Sequence, residues 1–112
     1  MFHKYFAEFL GTCTLVAVVV GSGTMATQMS ADPGVQLLIN TSSTVFALGI
    51  LILIFGSISG AHFNPAVSLS ESIQKRLSPT VLLGYLMAQC AGGISGAMLA
   101  NLMFKNLSLI HI

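Results

Sequence analysis

Charge is what this sequence has least of. Of its 112 residues only 6% are Asp, Glu, Lys or Arg, where a soluble domain carries about 25%. So few charges cannot coat a water-soluble fold, which excludes a small globular domain and indicates an integral membrane protein. The net charge of +1 gives no clustered basic face, so a nucleic-acid partner is not indicated. Tryptophan is absent, and with it a strong aromatic belt at the membrane boundaries. The only cysteines, Cys13 and Cys90, fall inside apolar runs. They read as reduced, packed thiols, with neither a disulfide nor a metal site indicated. No nucleophile–base pair, metal-ligand cluster or phosphate loop is visible in the sequence. An enzyme is not suggested, and no cofactor or metal is expected. No internal repeat is visible either.

What the sequence does have is apolar length: 54% of it is hydrophobic. After a weakly basic lead with His3 and Lys4, residues 6–25 form a first run long enough to cross a bilayer. A secretory leader has a similar order of basic start, apolar core and small residues. This run is long for a leader, and Glu8 sits badly at its front edge. Asp32, Pro33 and Gly34 signal a turn, in which proline fixes φ and glycine permits a positive one. A second span covers about residues 37–57, with a polar start (Asn40, Thr41, Ser42, Ser43, Thr44) and an aliphatic end. Ser78-Pro79 opens a third span over about residues 80–104, and the chain closes with a tail carrying Lys105 and His111. Ala88, Gly92, Gly96 and Ala100 recur every four residues, a stripe on which membrane helices pack closely.

Between the second and third spans, at about residues 58–76, stands a stretch too polar for a span. Asn64 can cap a helix, and Pro65 fits its first position, where the missing N–H costs nothing. The helix runs to about Arg76, with Lys75 and Arg76 favouring its negative end. At about 12 residues it is about 18 Å long, against a bilayer core of about 30 Å. It can enter a membrane but not cross it. Residues 60–63 before it read as extended, non-helical backbone, which survives at membrane depth only when buried in protein or wetted. They are read as lining a polar passage. The expected architecture is all-α: three transmembrane helices plus one re-entrant half-helix, in a single domain over residues 1–112.

The stretch Ser59-Gly60-Ala61-His62-Phe63-Asn64-Pro65-Ala66-Val67 resembles the first signature loop of the aquaporin (major intrinsic protein) family. Ala7-Glu8-Phe9-Leu10-Gly11-Thr12 and Tyr85-Leu86-Met87-Ala88-Gln89, with Gly92, Gly93 and Gly96, agree with it. The resemblance covers essentially the whole chain, but only the first half of a usual member, which carries two Asn-Pro-Ala motifs. This sequence has one, at Asn64, Pro65 and Ala66.

From the residues themselves, the Asn64 amide can donate to a neutral molecule while its oxygen is tied down as a cap. The half-helix aims its positive end at the same spot. The resemblance implies that the carbonyls of Gly60, Ala61, His62 and Phe63 form a ladder of acceptors along a pore. Gly60 would serve a tight backbone approach. His62 reads as a structural hydrogen-bonder more readily than as a pH sensor or metal ligand. Glu8 and Gln89, polar groups inside apolar helices, are implied to brace the loop. Thr44 falls where family members place part of the outer selectivity filter. Its small size implies passage of glycerol-sized solutes and resembles a bacterial branch associated with arsenite handling. Ile52 and Val67 join it as filter candidates. The Arg that family members carry after their second motif has no counterpart here, since Val67 follows the single copy.

The resemblance thus implies a passive channel half for water and small neutral solutes. Three completions stay open: a second copy inserted upside down as an antiparallel homodimer, a separate chain supplying the other half, or a relic with no pore. Higher assembly into a tetramer of pores is also implied. Lys4, Lys75 and Arg76 on one side, against Lys105 on the other, weakly favour a cytoplasmic N-terminus, in what would be a bacterial inner membrane. The competing readings are a small proton-coupled antiparallel-dimer exporter using Glu8, and a non-transporting membrane fragment.

Overall fold

The computed structural model describes the backbone of residues 2–111 and the side chains of residues 2–104. The described chain is all helix and connection: α1 (Phe2–Met29), α2 (Pro33–Ser59), α3 (Pro65–Ile73) and α4 (Pro79–His111). Among the described residues α1, α2 and α4 are long and apolar enough to cross a membrane. With 9 residues, α3 is about 14 Å long and is not. Helix α1 sits in the middle, packed against α2 on one side and α4 on the other, and α3 rests on α4.

All three prolines of the chain stand at the first position of a helix. Each follows a residue whose side-chain oxygen accepts from the opening turn. Asp32 Oδ1 accepts from Gly34 N at 3.1 Å. Asn64 Oδ1 accepts from Ala66 N at 2.8 Å. Ser78 Oγ accepts from Val81 N at 3.3 Å. This corrects the reading of Asp32-Pro33-Gly34 as a turn. Asp-Pro here is a cap and a first helical residue, and Gly34 lies inside α2, not at positive φ.

The element ends differ from expectation for local reasons. The first span begins at Phe2 and ends at Met29, beyond residues 6–25, because flanking polar residues continue its turns. The half-helix stops at Ile73, short of Arg76. Lys75 takes a left-handed φ of 63°, with Lys75 N donating to Ser72 O at 3.0 Å and Arg76 N to Glu71 O at 2.9 Å. That pair of bonds is a Schellman stop, with lysine where glycine usually signals it. The fourth helix continues through Asn101 to His111, so the backbone expected to be a tail is helical. No glycine or proline after Gly96 offers an exit. The Lys105 and His111 side chains lie outside the described residues.

The small-residue stripe is the α1–α4 seam. A Cβ on Gly92 would lie 2.5 Å from Phe9 O, and one on Gly96 would lie 2.3 Å from Cys13 O. Ala100 is buried in the same seam. Polar residues at the start of α2 tie it to α1: Asn40 Nδ2 donates to Val19 O at 2.8 Å and to Ser22 Oγ at 3.1 Å. The expectation of two packed thiols holds only in part. Cys13 is half-buried, but Cys90 is exposed.

Backbone, unlike a side-chain tip, cannot step aside for a new methyl. Gly96→Ala is therefore expected to destabilise the chain by about 1–3 kcal/mol, read as an earlier midpoint in SDS-induced unfolding. Gly49, where an added methyl would meet nothing within 4 Å, is the control. Gly49→Ala should hold or raise the midpoint. Equal midpoints for the two variants would contradict the seam.

Candidate functional site

Helix α1 carries Glu8 in its second turn, 0% exposed. A carboxylate there needs partners, and four donors reach it. Ser59 Oγ donates to Oε2 at 2.6 Å and His62 N to Oε2 at 3.1 Å. Phe63 N donates to Oε1 at 2.9 Å and Gln89 Nε2 to Oε1 at 2.8 Å. Both oxygens act purely as acceptors, the pattern of an ionised carboxylate. One side chain of α1 thereby binds the end of α2, the loop and α4.

The loop it holds is left-handed at three points, not extended as expected. Gly60 (φ 88°), Ala61 (φ 54°) and Phe63 (φ 51°) all have positive φ. Gly60 is the cap of α2, its N–H donating to Gly56 O at 3.0 Å. Its conformation is one that glycine adopts at no steric cost. Ala61 and Phe63 lack that freedom, and each costs about 1–2 kcal/mol there. The Glu8 bonds and the seating of Phe63 offset this. Phe63 is buried, edge-on to Phe55 at 6.2 Å. Its ring occupies the space where a Cβ on Gly11 would stand.

The direction of the loop carbonyls follows from these bonds. In a trans peptide N–H and C=O point opposite ways, and no peptide among the described residues is cis. The N–H groups of His62 and Phe63 point at Glu8, so the carbonyls of Ala61 and His62 point away from it. Ala61 N donates to Ser59 Oγ at 3.2 Å, so the Gly60 carbonyl turns away from that side as well. Among the described residues no donor meets these three carbonyls or that of Phe63. Asn64 follows in extended conformation, its oxygen spent on the α3 cap. Its NH₂ has no partner among the described residues and lies on an exposed residue. Pro65 and Ala66, exposed as well, form the first turn behind it.

A second layer supports the first. Gln89 Nε2 lies 2.9 Å from Ser68 Oγ, and His62 Nδ1 lies 2.8 Å from the same oxygen. Tyr85 OH donates to Ser59 O at 2.7 Å, and its ring meets His62 at 5.1 Å. Sequence reasoning assigned no role to Ser59, Ser68 or Tyr85. A usable signal was present for Tyr85, one helical turn before Gln89 and so on the same face.

The filter candidates do not join this cluster. Thr44 stands on α2 about 24 Å along the axis from Gly60 at 1.5 Å per residue. Its hydroxyl is turned back onto Asn40 O at 2.8 Å. Ile52 lies about 12 Å along the same axis and is exposed, as is Val67 at the start of α3.

Comparison with known proteins bears on this arrangement. The model of the family described as "Major intrinsic protein" matches residues 1–111. The chain is 51% identical over 98 residues to Aquaglyceroporin AqpS of Rhizobium meliloti, covering 88% of this chain and 42% of that protein. It is 38% identical over 92 residues to Glycerol uptake facilitator protein-like 6 of Lactiplantibacillus plantarum, covering 82% and 39%. It is 38% identical over 99 residues to Aquaporin Z of Brucella melitensis, covering 87% and 42%. The chain thus spans about two fifths of the length of these relatives. No solved structure matches it.

Replacing the carboxylate with an amide tests who holds the loop. Glu8→Gln turns one acceptor oxygen into a donor, facing two donors. Each lost bond to a charged group is worth about 1.5–3 kcal/mol, so a loss of about 3–6 kcal/mol is expected for the two. Hydrogen exchange in micelles should show His62 and Phe63 amides losing protection while the middle of α1 and α4 keeps it. Unchanged protection at both amides would show that Glu8 does not organise the loop.

Proposed function

The chain belongs to the major intrinsic protein family, and from that premise we propose that it supplies one half of a passive membrane channel. The solutes are water and small neutral molecules such as glycerol. One observation carries the reading: a one-sided loop at the head of a helix too short to cross a bilayer. Its N–H groups are consumed on the Glu8 side, and the carbonyls of Gly60, Ala61 and His62 face the other way without a donor among the described residues. The Asn64 NH₂ stands beside them. Acceptors and a donor in one row suit a molecule that both donates and accepts, and water and polyols do both. The names of the relatives, aquaglyceroporin, glycerol uptake facilitator and aquaporin, support the same class.

Thr44, small and with its hydroxyl turned back on its own helix, leaves room for solutes wider than water, among which we include neutral arsenite. The pore is completed by a second half, from an inverted copy or a separate chain, and such pores group as tetramers. A cytoplasmic N-terminus in a bacterial inner membrane follows the excess of Lys4, Lys75 and Arg76 over Lys105. The exporter alternative loses support from the site itself. A carboxylate that loads and releases protons needs a route to water, and Glu8 is fully enclosed with both oxygens engaged.

Reconstitution in liposomes with stopped-flow light scattering tests the proposal. Glycerol permeability should exceed that of empty vesicles, be indifferent to an imposed proton gradient, and fall by about tenfold or more in Asn64→Asp. A tenfold fall corresponds to about 1.4 kcal/mol of lost barrier stabilisation. Permeability equal to empty vesicles rejects the inverted pair. If co-expression with the C-terminal half of the Rhizobium relative also fails to raise it, the channel reading is lost.

A further inference from the structure

The hydrogen positions around Ser68 can be assigned one after another. Glu8 Oε1 accepts from its neighbours, so the group that Gln89 presents to it at 2.8 Å is the amide nitrogen and not the amide oxygen. The same nitrogen lies 2.9 Å from Ser68 Oγ, and its second hydrogen goes there. Gln89 Oε1 is left buried without a partner among the described residues. That is the arrangement expected when the carboxylate dictates which end of the amide faces it. Ser68, 0% exposed, therefore accepts from Gln89 and has one hydrogen to give. The acceptor within reach is His62 Nδ1 at 2.8 Å. A nitrogen that accepts carries no proton, so the ring proton of neutral His62 sits on Nε2.

We propose that Ser68 is a positioning residue: with Gln89 behind it, it holds His62 in the Nε2–H form and turns that N–H out of the network. The relay runs Glu8, Gln89, Ser68, His62, with every donor direction set by the carboxylate at its start. Nε2 lies beside the Gly60 backbone, where a Cβ would approach it to 3.2 Å. Among the described residues it meets no acceptor. The loop thus gains one fixed N–H donor beside Gly60. On the channel reading, on which this consequence alone rests, that donor selects for solutes with an acceptor oxygen and keeps water at this point oriented.

Solid-state NMR of the full chain in liposomes, labelled with ¹⁵N-histidine, tests the assignment. The His62 signals are identified as those lost in His62→Gln. In the wild-type chain at neutral pH, Nδ1 should resonate as an unprotonated imidazole nitrogen and Nε2 as a protonated one. Ser68→Ala should shift both signals toward the average of the two tautomers. Ser68→Thr, which keeps the hydroxyl, should restore them. A protonated Nδ1 in the wild-type chain overturns the proposal, even where Ser68→Ala fails to fold. So does a Ser68→Ala spectrum identical to that of the wild type. The readout is separate from flux: a chain that conducts nothing can still show the tautomer, and a conducting chain can lack it.

Discussion

A carboxylate buried among helices is the constraint on which the rest depends. Moving such a charge out of water costs several kcal/mol even after relaxation, and Glu8 has no cation beside it among the described residues. Its compensation is four hydrogen bonds, each worth about 1.5–3 kcal/mol when one partner is charged. Two come from loop backbone, one from the end of α2 and one from α4. The sum is of the same size as the cost, so the charge adds little net stability. What it adds is geometry. The backbones of α2 and α4 stay apart in the described fold; Glu8 links the two helices through its own bonds, and the Tyr85–Ser59 hydrogen bond joins them directly.

The same bonds make the loop one-sided. A backbone whose N–H groups all serve one side must send its carbonyls to the other, since each peptide is a rigid trans unit. Left-handed conformations at Gly60, Ala61 and Phe63 achieve this over so few residues. The strain at Ala61 and Phe63 is the cost of that orientation, and Phe63 seated over Gly11 is one of its supports. Site and scaffold are therefore one object: the residues that stabilise the loop are those that aim its acceptors.

Much of this was legible in the sequence, and the missing parts share a cause. Asn64 and Pro65 announced a helix start because cap and first position are read from adjacent residues. Glu8 and Gln89 stood out because polar groups are conspicuous in apolar runs. The Ala88, Gly92, Gly96 and Ala100 stripe was visible as a period. Ser59 and Ser68 were not, because a serine in a membrane helix can bond its own preceding turn and so announces nothing. Asp32-Pro33 was read as a turn because Gly34 suggested one, although the pair repeats the grammar of Asn64-Pro65. The end of α3 was misplaced because Lys75 does a glycine's work there. The left-handed loop was beyond reach, since its conformation is imposed by Glu8 from 51 to 55 positions away.

On the channel reading, charge selectivity would follow from what surrounds Asn64. The head of α3 contributes about half a positive charge, fading within a turn. Behind the loop stands the full negative charge of Glu8, softened by the N–H groups between it and the carbonyls. These two fields oppose each other along the row of outward acceptors, and carbonyl oxygens by themselves favour cations. Lys75 and Arg76 are at the far end of α3, where Arg76 is paired with Glu71 at 3.3 Å, and Lys4 is exposed in the first turn of α1. In the proposed pore, exclusion of cations cannot come from this half. A second short helix, pointing its own positive end at the same place from the other face, doubles the favourable term and leaves the Glu8 term of this half unchanged. On the channel reading, completion of the pore is then an electrostatic requirement as well as a geometric one.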